Sequence, residues 1–410
     1  MKKRIRSGIA LLLTLTLLFS LALPAAARSL SPVSSGKDVS ALASSVNTLN
    51  WALFDSAAGA GNLFYSPYSI ASALLLADLG ADGNTRQQME SVLGVSSLDT
   101  VLNQYNSYRN QRQPATAKLT TANGIWINEN EMGKNALNRR YQAEATAKMG
   151  ATVKAEPFTD GTKTEIREWV RKKTGGMIAD YDPILKENTA VDLLNAIYFY
   201  GEWATKFQTD NTYEQEFTPL SGTAVPVPMM HRNDGKIRFY EADGFRGAEL
   251  LYQGGGKAMD LILPADPDVR DVSTAWKKLT PKARDAFLTS LGSSPEQELQ
   301  FLAVPKFTCD GTFPELKQIL IDLGMTDAFD AASANFNKMA PGLYLSDICH
   351  RAKLEVDEEG SRASAVTEIA MNKMALVQGV HISFDRPFLY VIRDTDTGMV
   401  LFTGVYNTVT

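Results

Sequence analysis

The chain has 410 residues, 44% hydrophobic and 21% charged, with 41 Lys and Arg against 46 Asp and Glu for a formal charge of −5. A net acidic chain without a long basic run argues against nucleic acid or an anionic membrane as partner. Two cysteines, Cys309 and Cys349, are too few for a disulfide scaffold, and His231, His350 and His381 lie too far apart for zinc-ligand spacing, so no metal or other cofactor is expected.

The N-terminus reads basic, then apolar, then small. Lys2, Lys3, Arg4 and Arg6 precede an apolar run over 9–23, and Pro24-Ala25-Ala26-Ala27 offers the small residues of a signal-peptidase site. Residues 1–27 are expected to be a secretory signal peptide cleaved after Ala27, and the run is short for a membrane span. The mature chain is then secreted, into the extracellular or cell-envelope space. Losing the four basic residues takes its formal charge from −5 to −9. Residues 28–37 read as a flexible leader and 38–410 as a single domain.

Val39, Leu42, Val46, Leu49 and Leu53 recur at helical spacing behind a capping Asp38. Ser66-Pro67 is a helix start leading into 70–79, with Gly80 as the stop. Amphipathic patterns predict further helices over 85–93 and 162–174. Strand-like runs follow at 119–127, 190–200, 258–263, 344–356, 388–393 and 400–406. The last two are nearly continuously apolar and flank Asp394-Thr395-Asp396-Thr397-Gly398, which predicts a hairpin buried on both faces. Helices early and strands late, with no repeat or linker, make one α+β domain the simplest architecture.

Between the strand ending near Val356 and another at 381–384 lies a long connection, and such a length inside a compact domain marks function or disorder. Its residues alternate. Ser361, Ala363, Ala365, Thr367, Ile369 and Met371 are small or apolar, while Arg362 and Glu368 fall on the other face. No proline occurs between Pro341 and Pro387, so every backbone N–H can join a central ladder. Periodicity alone leaves strand and helix equally open, because Ala-rich segments also favour helix.

The run Glu358-Glu359-Gly360-Ser361-Arg362-Ala363-Ser364-Ala365-Val366-Thr367 resembles the reactive-loop hinge of inhibitory serpins. Asn62-Leu63-Phe64-Tyr65-Ser66-Pro67-Tyr68-Ser69-Ile70 resembles that family's second-helix entry, and Asn195-Ala196-Ile197-Tyr198-Phe199-Tyr200-Gly201-Glu202-Trp203 the main strand of its largest sheet. Asp385-Arg386-Pro387-Phe388 and Leu401-Phe402-Thr403-Gly404 are similar to its two C-terminal signatures. The signal at the N-terminus points to a bacterial, exported member.

The resemblance implies three β-sheets, eight to nine helices, an exposed reactive-centre loop over about 358–380 and a metastable native state. It implies a serine protease inhibitor, not an enzyme, that acts as a monomer. A target protease cleaves the loop, the freed segment inserts into the largest sheet, and the acyl-enzyme is trapped covalently. Glu358, Glu359, Gly360, Ser361, Ala363, Ala365 and Thr367 form the hinge. Arg362 stands where the family often has an acid, and Val366 where it has a small residue, both on the outward face. The loop length usual in that family, counted forward from Gly360, implies a scissile bond at Met374-Ala375, suiting chymotrypsin-, elastase- or subtilisin-like enzymes. A cut after Lys373 would suit trypsin-like ones, and counting back from Pro387 gives Leu376.

The same resemblance assigns Ser66, Ser69, Asn195 and His350 to a sheet-opening cluster, and Trp203 and Lys306 to the top of the sheet, with Lys306 paired to Glu358. It sets Cys309 and Cys349 on neighbouring strands, too far offset to bond. Papain-like targets, or a non-inhibitory binding protein on the same fold, are the alternatives. A secreted hydrolase is disfavoured because no histidine accompanies a Gly-x-Ser-x-Gly elbow.

Overall fold

The computed structural model describes residues 38–176, 178, 181–183, 185, 189–346, 348–361 and 379–409, which fall in one compact unit. In chain order come α1 (Ser40–Ala57), β1 (Leu63–Tyr65), α2 (Pro67–Gly80), α3 (Gly83–Leu93), α4 (Leu98–Arg109) and β2 (Ala117–Asn128). Then follow α5 (Glu129–Met132), α6 (Arg139–Met149), β3 (Thr152–Glu156), α7 (Asp160–Lys173) and β4 (Val191–Glu202). β5 (Thr212–Phe217), β6 (Val225–Arg232), β7 (Lys236–Ala242), β8 (Phe245–Leu251) and β9 (Lys257–Pro264) make a run of strands. The rest is α8 (Val272–Lys277), α9 (Pro281–Ser293), β10 (Glu296–Pro305), β11 (Phe307–Thr312), α10 (Leu316–Asp322), β12 (Ile348–Val356), β13 (Gly360–Ser361), β14 (Val380–Ser383), β15 (Phe388–Asp394) and β16 (Val400–Tyr406).

The helix signals work through capping and burial. Ser66 caps α2, its hydroxyl accepting from the Ser69 amide (3.1 Å) behind Pro67. Every residue of α2 is buried, so this helix has no solvent face and lies within the core. Gly80 is the last residue of α2 rather than its stop. A Cβ there would meet Met339 at 2.7 Å, so close packing is what demands glycine. At α7, Thr159 and Thr162 close a reciprocal capping box, and the helix begins at Asp160, two residues upstream of the predicted start. Asp38 accepts from the Ser40 amide (3.0 Å) just before α1.

Six strands form one sheet in the order β11-β12-β4-β2-β3, with β13 added beside β4. The other ten are continuous, β1-β16-β15-β9-β8-β7-β10-β6-β5 with β14 beside β10. β10 divides this second network. Its first residues, 296–298, pair with β7, while from Leu299 it pairs with β14, across a bulge between Leu299 and Phe301, and from Leu302 with β6. A bulge bends and twists a strand, and this one lets β10 leave one sheet for another. The result is three sheets in an α+β fold. The ten α-helices among the described residues include the single turn α5.

The predicted strand over 344–356 is shorter than its apolar pattern. It begins at Ile348, because the Leu345 amide bonds the Ala328 carbonyl (2.9 Å) and Leu343 and Leu345 fill the core from irregular chain. The predicted hairpin stands as β15 and β16, buried along their whole length.

Candidate functional site at the strand seam

The residues singled out from the sequence gather along one seam, where β12 and β4 run parallel. Their register extends from Ile348 opposite Leu193 to Lys353 opposite Tyr198. Past that point the two strands no longer pair with each other. Instead Gly360 and Ser361 pair antiparallel with Glu202 and Gly201 of β4. The chain reverses after Val356 through a turn in which Asp357 Oδ1 accepts from the amides of Glu359 (2.9 Å) and Gly360 (3.1 Å). A Cβ on Gly360 would strike the Gly201 carbonyl oxygen and the Glu202 Cα, so only glycine lets β13 approach β4.

Trp203 holds this turn from behind. Its indole N–H donates to the Asp357 carbonyl (2.8 Å) and its amide to the Glu359 carbonyl (2.8 Å), while the Phe207 amide donates to the Glu358 carbonyl (3.0 Å). Tyr252 stacks on Trp203 with centroids 4.8 Å apart and rings 14° from parallel. The Tyr252 hydroxyl also shares a 2.7 Å hydrogen bond with Ser361, which is 1% exposed. The Glu358 carboxylate accepts from Lys306 Nζ (2.8 Å) and from Thr212 Oγ1 (2.8 Å). Burial pushes this carboxyl up, but the hydrogen bonds outweigh it and hold Glu358 below the usual range. Lys206 pairs with Glu359.

Midway along the seam Asn123, Asn195 and His350 lie side by side on β2, β4 and β12. The N-terminus of α2 covers them. Asn195 accepts from the Ser69 hydroxyl and donates to Asn123 Oδ1 (2.5 Å), whose own amide donates to the Tyr105 hydroxyl (2.8 Å). His350 Nε2 accepts from the Ser66 amide (3.0 Å), and Ser66 Oγ donates to the Leu401 carbonyl (2.6 Å). An Nε2 that accepts leaves the proton on Nδ1, which is buried with no hydrogen-bond partner among the described residues. Burial drives the His350 pKa down to about 3, so the ring is neutral at physiological pH. All four predicted cluster residues therefore meet, and so do Trp203, Lys306 and the hinge from Glu358 to Ser361.

Ala363, Ala365, Thr367, Lys373, Met374 and Ala375 lie outside the described residues, as do the predicted signal peptide and leader. Sequence reasoning missed Tyr252, Thr212 and Asn123. Asn123 left a legible signal, a lone amide inside an apolar strand run. Tyr252 and Thr212 left none, since each sits at an element's edge and reaches the site only through the fold. Cys309 is a free, buried thiol opposite Leu354 on β12, five positions from Cys349 and thus about 16 Å away at strand rise, beyond disulfide reach.

The family model for serpin (serine protease inhibitor) matches residues 45–408. The chain belongs to the serpin family. This serpin is 30% identical over 360 residues to leukocyte elastase inhibitor A of Mus musculus, covering 84% of this chain and 92% of that one. Among solved structures it is similar to the thermophilic serpin tengpin in its native state, with a TM-score of 0.81 and 26% identity over 91% of this chain and 95% of that one. Human thyroxine-binding globulin shares the fold at a TM-score of 0.76 and 22% identity, covering 91% and 99% of the two chains. The family's description and its inhibitor relative set this serpin among protease inhibitors rather than enzymes. Among the described residues no helix is long and apolar enough to cross a membrane.

Proposed function

We propose that this serpin is a secreted, monomeric suicide inhibitor of a serine protease, cut at Met374-Ala375 and driven by insertion of its loop between β4 and β12. One observation carries the reading: Gly360 and Ser361 already run antiparallel to β4 at the end of a seam that is otherwise closed by parallel pairing. Continuing that ladder requires only that residues 193–198 and 348–353 part, and every further residue then gains backbone hydrogen bonds to both neighbours. Ala363, Ala365 and Thr367 follow Ser361 on its face, and small side chains enter without a steric penalty. The polar row of Asn195 and His350 under Ser66 and Ser69 acts as the gate. Its hydrogen bonds exchange as the seam opens, and the unpaired His350 Nδ1 favours that exchange.

The experiment mixes the protein with chymotrypsin-, elastase-, subtilisin- and trypsin-like enzymes and reads a denaturing gel and the released C-terminal peptide. A covalent complex is expected with an apolar-specific enzyme, with a peptide beginning at Ala375. A peptide beginning at Met374 moves the cut to Lys373 and the target to trypsin-like enzymes.

Ala363→Arg tests the mechanism rather than the bond. Insertion would bury an unpaired charge, at a cost of several kcal/mol, whereas the uncut loop loses little. The variant should be cut at the wild-type rate without forming the complex. Trapping as efficient as wild type would remove insertion from the account and leave a non-inhibitory binding protein.

A further inference from the structure

The segment over 203–207 that holds the hinge turn has a second side. Behind it lies a cavity of about 280 Å³, bounded by Trp203, Thr205, Lys236, Glu249 and Leu251. Arg232, the last residue of β6, lines this cavity and is 6% exposed. One guanidinium nitrogen, Nη1, donates to the Thr205 carbonyl (2.9 Å), and the group lies 5.6 Å from the Phe207 ring centroid. Its Nε is buried without a hydrogen-bond partner among the described residues.

Among the described residues no carboxylate pairs with it. Glu298 faces Lys236, Glu249 and Glu296 face Arg238, and Asp234 acts on Arg232 only through space. Burial accordingly lowers the guanidinium's pKa. A buried cation without a counter-charge is costly. The planar fork of a guanidinium matches one kind of ligand closely, an oxyanion that takes two of its N–H groups at once.

We propose that this cavity binds a small oxyanion, a phosphate or carboxylate group, on Arg232, with Lys236 at its rim. Arg232 also bonds Thr205, and the same segment donates from Trp203 and Phe207 to the hinge carbonyls of Glu359 and Glu358. An anion that fixes Arg232 therefore stiffens the segment on which the hinge turn hangs. Binding does not rest on the inhibitory reading; only its consequence for insertion does.

Calorimetric titration of the protein with inorganic phosphate, and separately with succinate, tests the site at constant ionic strength held with chloride. Saturable binding of one or both is expected, weakened at least tenfold in Arg232→Gln and two- to fivefold in Lys236→Gln. Hydrogen exchange of residues 203–207 should slow at saturation in wild type and not in Arg232→Gln. If Arg232→Gln does not fold, Lys236→Gln decides. Absence of saturable binding, or binding unchanged in the variants that fold, overturns the site. Binding without protection of 203–207 overturns its link to the hinge.

Discussion

Two strand pairings in this molecule are built from opposite materials. The hairpin of β15 and β16 is buried on both faces, and Phe402 stacks on Phe64 (5.6 Å between centroids) and packs against Phe199 (6.1 Å). Its polar exceptions are confined to Thr403 and to the Arg393-Asp394 end, where Arg393 pairs with the buried Asp260. The seam between β4 and β12 instead carries buried amides, hydroxyls and an imidazole at its centre. A large apolar side chain contributes about 1.5–3 kcal/mol on burial, and a typical hydrogen bond a net of about 0.5–1.5 kcal/mol. A polar group can also exchange one hydrogen-bond partner for another during a rearrangement, whereas an apolar face opened to water finds no substitute. A permanent pairing is made of one material and an openable pairing of the other.

The sharpest way to break this comparison is to cut into the hairpin. Phe402→Ala leaves a cavity between Phe64 and Phe199, and truncations of this kind cost about 3–5 kcal/mol. Denaturant unfolding should show that loss as a lower midpoint with an unchanged slope. A cost under about 1.5 kcal/mol would mean that the hairpin is no more permanent than the seam.

The centre of the seam should respond to pH through its histidine. His350 has its pKa lowered to about 3 by burial, against the ordinary 6.5, so the folded protein holds it neutral while the unfolded chain protonates it. The stability tied to that neutral ring is complete above about pH 6.5 and is lost as the pH falls toward 3. The loss is about 1.4 kcal/mol per pH unit within that window. Unfolding measured at pH 7, 6 and 5 in wild type and His350→Gln should converge or cross as the pH drops, since only wild type carries this titration. Parallel pH profiles would show that the imidazole is not a buried neutral group.

How much of this is legible beforehand differs between the two pairings. The hairpin is plain in the sequence because continuous apolar runs around a turn signal are a local pattern. The hinge is plain through its resemblance, and the alternation beyond Ser361 agrees with it. What stays hidden is three-dimensional. Tyr252 reaches Ser361 across more than a hundred residues of sequence, and Thr212 shares Glu358 with Lys306 from a different sheet. The predicted strand at 344–346 fails for a related reason. Leu343 and Leu345 are as buried as strand residues, and apolar pattern reports burial rather than pairing.

The smallest expected effect sits at the top of the seam and sharpens the comparison by its pH dependence. Lys306 Nζ lies 2.8 Å from Glu358, with the lysine side chain 37% exposed and the glutamate side chain 9% exposed. Solvent screens a pair of this kind, so Lys306→Met should cost no more than about 1 kcal/mol at pH 7. The Lys306 amide bond to the Pro228 carbonyl (2.9 Å) survives the substitution, which limits other damage. Burial raises the Glu358 carboxyl, but hydrogen bonds from Lys306, from its own backbone amide and from Thr212 outweigh it and hold the group below its ordinary 4.5. A depressed carboxyl contributes stability that is present above about pH 4.5 and is lost as the pH falls through the folded value. The difference in melting temperature between wild type and Lys306→Met should therefore be small at pH 7 and vanish under more acid conditions. A difference that persists after Glu358 is protonated would assign the lysine's contribution to packing of its stem, and the top of the seam would then be held in the hairpin's way rather than by exchangeable polar groups.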